Sequence, residues 1–154
     1  MSLVTLLLAA LAATATPSAD VYVMRHLNTP PGQRDPDLLP EGRRTAEALA
    51  RQFQGSPPVA IFVTDYRRTR QTVAPLAARL GLTPMVYDPR DVAGLVERVR
   101  AVGGPVLIVG HSNTVGGLIA ALGGASPGEL GESEFGDIWH IAADGTTTRL
   151  RIGD

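Results

Sequence analysis

Cysteine is absent from the 154 residues. That excludes a disulfide framework and any thiolate-bound metal. Aromatic residues are scarce, with three Phe, three Tyr and one Trp, too few for the stacking platform that holds single-stranded nucleic acid. Neither sign of charge is in excess. Lys and Arg together number 14 against 15 Asp and Glu, leaving a formal net charge of -1. A nucleic-acid partner needs a basic excess or stripe and is therefore not expected. Also missing is an apolar run of about 20 residues, so no stable membrane span is expected. There is no internal repeat and no long linker.

What remains is the composition of an ordinary globular protein, 44% hydrophobic, with length for one domain and a real core. Residues Met1 to Ala19 carry no charged side chain. Leu3 to Ala13 is mostly apolar, and Ala13-Thr14-Ala15 offers small residues at a cleavage spacing. This segment reads as a secretory signal peptide, although no Lys or Arg stands near Met1. The expected organisation is a signal peptide over 1–19 and one domain over 20–154. A leader of this kind implies an exported protein, periplasmic or extracellular. A segment retained as an N-terminal helix would leave the protein cytoplasmic.

Short β-branched runs alternate with amphipathic stretches from Val21 onward. Strands are expected at Val21 to Met24, Ala60 to Thr64, Met85 to Asp88 and Val106 to Gly110. Helices are expected from Glu41 to about Phe53, from about Asp65 to Leu80, from Asp91 to Val102, and from Asn113 or Thr114 to Gly123. Pro75 should kink or break the second helix, because its ring displaces a backbone hydrogen bond. Ile138 to Ala142 and Thr147 to Ile152 flank Asp144-Gly145, a hairpin signal. The pattern predicts an α/β fold: a single three-layer domain, a mainly parallel sheet with an antiparallel edge strand, and helices on both faces.

In such sheets ligands bind beyond the carboxyl ends of the strands. Three of those ends carry chemistry. The first strand leads into Arg25-His26-Leu27-Asn28, the second into Thr64-Asp65-Tyr66-Arg67-Arg68-Thr69-Arg70, and the fourth into Gly110-His111-Ser112-Asn113. Two of the chain's three histidines thus share one sheet edge with several arginines. Guanidinium groups match the oxygens of a phosphoryl group with paired hydrogen bonds. A neutral imidazole is a competent nucleophile toward phosphorus, and a second, protonated one can stabilise charge on the transferring group. Arg67 and Arg70 are read as surface residues, and His140 as packing beside the last strands.

Val23-Met24-Arg25-His26, followed by Asn28-Thr29, resembles the arginine-histidine signature of the histidine phosphatase superfamily. That family includes the cofactor-dependent phosphoglycerate mutases and the small SixA-like phosphohistidine phosphatases. Leu39-Pro40-Glu41-Gly42-Arg43 is similar to its leucine-threonine-proline-glutamate-glycine segment. Asp65 to Thr72 resembles its second-arginine helix, and Val106 to Asn113 its second-histidine strand. The likeness runs from Val21 to about Gly124 in the expected order. It implies a phosphoglycerate mutase-like fold and a phosphoester hydrolase without a cofactor. His26 would be the phosphorylated nucleophile. Arg25 and Arg68 would bind phosphoryl oxygens, and His111 would complete the pocket. Asn28 and Ser112 are candidate substrate ligands. The partner would be a small phosphorylated substrate or a phosphohistidine protein. Leu27 and Leu39 depart from the family's usual glycine or alanine and threonine. Chain length disfavours mutase activity, because the extra loops that exclude water are missing.

For the acid that protonates the leaving group, the resemblance points to the segment holding Asp88 and Asp91. Asp91 equally suits a helix cap, and Glu134 and Asp137 are further candidates. Three alternatives compete with the phosphatase reading. Gly110-His111-Ser112-Asn113-Thr114 approaches a serine-hydrolase elbow, which would need Asp137 or Asp144 and His140 as partners and leaves the arginines unexplained. A phosphate-binding adaptor would use the same pocket without turnover. A metal site on His26 and His111 lacks ligand spacing, and the flanking arginines would repel a cation.

Overall fold

Alternation along the strands sorts the core into two halves. In β1 (Val21–Arg25), Val21 and Val23 face one side of the sheet while Tyr22 and Met24 face the other, as period-two geometry requires. The computed structural model describes residues 19–153, so the signal peptide read over 1–19 lies, apart from Ala19, outside the described residues. After β1 come α1 (Pro40–Gln52), β2 (Ala60–Val63), α2 (Arg67–Leu80), β3 (Met85–Val86) and α3 (Val92–Val102). They are followed by β4 (Val106–Gly110), α4 (Val115–Ala121), β5 (Asp137–Ile141) and β6 (Thr147–Arg151).

The six strands form one sheet in the order β3-β2-β4-β1-β5-β6. β1, β2, β3 and β4 run parallel. The antiparallel end is a hairpin, with β5 against β1 and β6 against β5. β4 lies between β1 and β2 and is fully buried, which explains its uninterrupted apolar sequence.

Each face of the sheet is covered by two helices. Val23, Phe62, Ile108 and Trp139 meet Leu95 and Val99 of α3 and Leu118 and Ile119 of α4. On the other face, Met24, Ile61, Leu107 and Ile138 meet Ala46 and Leu49 of α1 and Val73 and Leu76 of α2. Among the described residues no helix is long and apolar enough to cross a membrane.

Two local outcomes differ from the sequence expectation. α2 runs through Pro75 without a break. Proline costs the helix one backbone hydrogen bond, but Val73, Leu76 and Ala77 beside it are buried in the core and hold the turn. α2 also starts at Arg67 rather than Asp65, because Tyr66 is still extended, with φ -131° and ψ 146°.

One glycine matters for the site. A Cβ on Gly42 would stand 2.7 Å from the carbonyl oxygen of Asn28. The same carbonyl accepts from the Leu39 amide at 2.8 Å. Glycine at this position lets the chain that leaves β1 lie directly against the start of α1.

Candidate active site

The strand ends converge as the parallel ladder dictates. His26 follows β1, and its amide continues the ladder by donating to the Gly110 carbonyl at 2.9 Å. The Leu27 amide then donates to Thr72 Oγ1 at 3.0 Å, and that hydroxyl donates to the Arg68 carbonyl at 2.7 Å. A buried threonine of α2 therefore fixes the backbone beside His26. His111 follows β4, and its ring lies 5.4 Å from that of His26, centroid to centroid. Arg25, His26, Arg68 and His111 all line one open cavity of about 470 Å³.

Hydrogen bonds define both tautomers. His26 Nδ1 lies 2.8 Å from the Leu27 carbonyl oxygen, which can only accept, so Nδ1 carries the hydrogen and Nε2 keeps its lone pair. Burial, reinforced by the positive charges of Arg68 and Arg25 and by His111, lowers the His26 pKa to about 3. Arg68 Nη2 lies 3.3 Å from His111 Nδ1. A guanidinium only donates, so His111 Nδ1 accepts and its Nε2 donates to Thr64 Oγ1 at 2.9 Å. Thr64 Oγ1 passes its hydrogen to Thr69 Oγ1 at 3.2 Å, and that hydroxyl donates back to the Thr64 carbonyl at 2.8 Å. Both threonines are fully buried. Burial, then Arg68 and Arg25, lower the His111 pKa to about 4.

Both imidazoles are therefore neutral at physiological pH, and they stay neutral well below the pH at which an unfolded histidine charges. Between about pH 6.5 and the folded-state values, the unfolded chain binds protons that the folded chain does not. Stability contributed by these two groups is thus complete above about pH 6.5 and falls as the pH falls toward 3. The urea midpoint should drop between pH 7 and pH 4, and by less in His26→Ala than in the parent chain. An equal drop in both would contradict the buried, neutral state of His26.

The two arginines are each tied to a different cavity wall. Arg25 Nη1 donates to the carbonyls of Gly131 (2.9 Å), Glu132 (3.1 Å) and Glu134 (3.0 Å). Its guanidinium carbon sits 4.0 Å from the centre of the Phe135 ring. Arg68 Nη1 donates to the Arg34 carbonyl at 3.1 Å and faces Asp35 Oδ1 at 3.4 Å, while the group lies 4.3 Å from the centre of the Tyr66 ring.

The remaining sequence candidates fall in various places. Ser112 lines the cavity, but its hydroxyl has no imidazole partner among the described residues. The partners of the elbow reading lie elsewhere: Asp137 is paired with Arg149 and Arg151, and His140 stacks on Tyr22 beside Asp20. Burial alone would raise the Asp137 pKa, but the two arginines outweigh it and the net direction is down. Asn28 points its amide at Glu41 Oε1, 3.1 Å away, and is not a cavity wall. Asp91 accepts from the Gly94 amide at 3.0 Å as the cap of α3 and is exposed off the cavity. Asp88 is engaged by Arg90, and Glu134 by the Gly131 amide.

Sequence reasoning missed Thr64 and Thr69 behind His111, Thr72 behind His26, and Glu132 and Phe135 as individual residues of the cavity wall, although the loop from Ala125 to Gly136 reads as one that shapes specificity. Thr64 had a usable signal: it follows β2 just as His26 and His111 follow β1 and β4.

No curated protein matches the chain in sequence. Several solved structures share its fold. The protein histidine phosphatase SixA, complexed with tungstate, superposes with a TM-score of 0.59 at 22% identity, covering 85% of this chain and 94% of that one. A mycobacterial glucosyl-3-phosphoglycerate phosphatase gives 0.58 at 20% identity, covering 86% and 97%. The alpha-ribazole phosphatase of Shigella flexneri gives 0.61 at 14% identity, covering 88% and 96%. The sequence profile of the histidine phosphatase superfamily (branch 1) matches residues 21–91, which carry Arg25, His26 and Arg68. The chain thus resembles the histidine phosphatase superfamily in sequence over residues 21–91 and shares its fold with these phosphatases across most of its length.

Proposed function

We propose that the chain is a phosphatase that hydrolyses phosphoesters through a covalent phosphohistidine on His26. One observation carries the reading: a neutral imidazole with its Nε2 lone pair unengaged shares a cavity wall with two guanidiniums and a second imidazole. Nε2 attacks phosphorus, the N–P bond forms, and the bond to the leaving oxygen breaks in line. Arg25 and Arg68 hold the equatorial oxygens and stabilise charge that develops there. A bound phosphate dianion favours the protonated form of a neighbouring imidazole. His111 Nδ1 then donates to the phosphoryl group instead of accepting from Arg68, and Thr64 keeps the ring in place. Water finally attacks the phosphohistidine and releases phosphate.

The cavity volume falls in the range of small-ligand sites. It supports a small phosphorylated substrate of about sugar-phosphate size, while its open mouth also suits a phosphohistidine protein. The uncharged apolar leader supports export, and with it extracytoplasmic phosphoesters such as envelope sugar phosphates.

The test is a panel of sugar phosphates, aryl phosphates and a phosphohistidine peptide, with vanadate as inhibitor. Vanadate-sensitive phosphate release is the expected result. Phosphate binding without release from any compound would identify an adaptor. Labelling by a fluorophosphonate that is lost in Ser112→Ala would favour a serine hydrolase.

A further inference from the structure

The reaction above needs a proton for the leaving oxygen, and every aspartate or glutamate singled out in the sequence for that task is otherwise engaged. Asp88 is held by Arg90, Asp91 caps α3, Glu134 closes the turn onto the Gly131 amide, and Asp137 is clamped by two arginines. Among the residues that line the cavity, one carries a carboxyl group: Glu132.

Glu132 is not a loose surface residue that happens to lie nearby. The segment bearing it is fastened to the phosphate cradle. Arg25 Nη1 gathers the carbonyls on both sides of it, those of Gly131 and Glu134, as well as its own. Phe135, three residues on, lies over the same guanidinium and with its ring centre 6.0 Å from that of His26. The Glu134 amide donates to the Gly131 carbonyl at 3.1 Å, making a tight turn with Glu132 inside it. These bonds use backbone atoms, so the Glu132 side chain has no hydrogen-bond partner of its own among the described residues. Its backbone is fixed, and its carboxylate acts on the Arg25 guanidinium through charge alone.

We propose that Glu132 is the proton donor to the leaving group and, in the second half-reaction, the base that activates water. The assignment rests on the phosphatase reading. As His26 Nε2 bonds to phosphorus, the P–O bond breaks and its electron pair goes to the leaving oxygen, which takes the carboxyl proton of Glu132. The resulting carboxylate then removes a proton from water as the oxygen of that water attacks phosphorus. The N–P bond breaks, its electrons return to His26, and Glu132 is again protonated. Exposure lets the Glu132 carboxyl exchange protons with solvent between turnovers. The donor thus comes from the segment before β5, not from the one between the second arginine and the second histidine.

The experiment compares Glu132→Gln with the parent chain on two kinds of phosphate donor. An alkyl phosphate has a poor leaving group and needs the proton. 2,4-Dinitrophenyl phosphate has a good one and does not. The quantity read is kcat/KM, which reports steps up to departure of the leaving group. For the alkyl phosphate a fall of roughly 10²-fold or more is expected, the usual contribution of a general acid. For the dinitrophenyl ester the change should stay within a few-fold. Glutamine preserves the backbone carbonyl that Arg25 holds, and an unchanged urea midpoint checks the fold. Equal losses on both donors, or none on either, would overturn the assignment alone, as would the same leaving-group dependence appearing in Asp91→Asn. A parent chain inert toward both donors would overturn the phosphatase reading and this assignment with it.

Discussion

Replacing His26 with alanine should remove turnover and leave the fold standing. The loss expected is on the order of 10⁴-fold or more in kcat, as for other enzymes stripped of a covalent nucleophile. Arg25, Arg68 and His111 remain, but a cradle without a nucleophile can bind phosphate and not transfer it. The fold should survive because His26 supports it through backbone, with its amide on the Gly110 carbonyl, while its ring bonds only the carbonyl of the next residue. Alanine keeps the first bond. Three measurements decide the matter. Steady-state phosphate release should vanish. Rapid quenching should trap an acid-labile, alkali-stable phosphoryl group on the parent chain and none on the variant. Circular dichroism should be unchanged. Substantial hydrolysis by purified His26→Ala would end the covalent mechanism.

Arg68→Ala should cost 10²- to 10³-fold in kcat, about 2.7–4 kcal/mol, the scale seen when one preorganised donor to a developing oxyanion is removed. Arg68→Lys should recover only part of this, because a single ammonium cannot reproduce the planar fork. A second readout separates this role from mere structure. Among charged groups, Arg68 contributes most to holding down the His111 pKa, which stands at about 4. Without it, the His111 titration should move up toward the ordinary value of about 6.5, visible by NMR and as a shift in the pH profile of kcat/KM. Arg25 is a poorer probe. It anchors three carbonyls of one loop, so its removal would disturb that wall along with any phosphate contact.

The parts of this architecture that follow from local chemistry were readable in advance. Val106 to Gly110 reads as a strand, and β4 is that strand. Asp91 suited a cap, and it caps α3. His26 and His111 could be placed at one sheet edge because parallel strands deliver the residues just beyond their ends to a common side.

The unreadable parts depend on distant partners. Nothing near Pro75 in sequence shows that buried neighbours will carry α2 through it. Thr64, Thr69 and Thr72 look like ordinary threonines until the fold aims their hydroxyls at His111 and Leu27. The walls around Asp35 and Glu132 take their shape from guanidiniums more than 30 residues away, and loop sequence carries no trace of such tethers. Asn28, read as a phosphate ligand by resemblance, faces Glu41 because Gly42 lets α1 come close.

Pro30, Pro31, Pro36 and Pro89 line the cavity. Each pyrrolidine ring freezes its own φ, so these four positions have less conformational entropy to lose when a substrate arrives. Affinity is then spared most of the ordering penalty that a supple loop would impose. The same stiffness would govern departure: phosphate released by the proposed reaction would pass four rings whose backbone is already set.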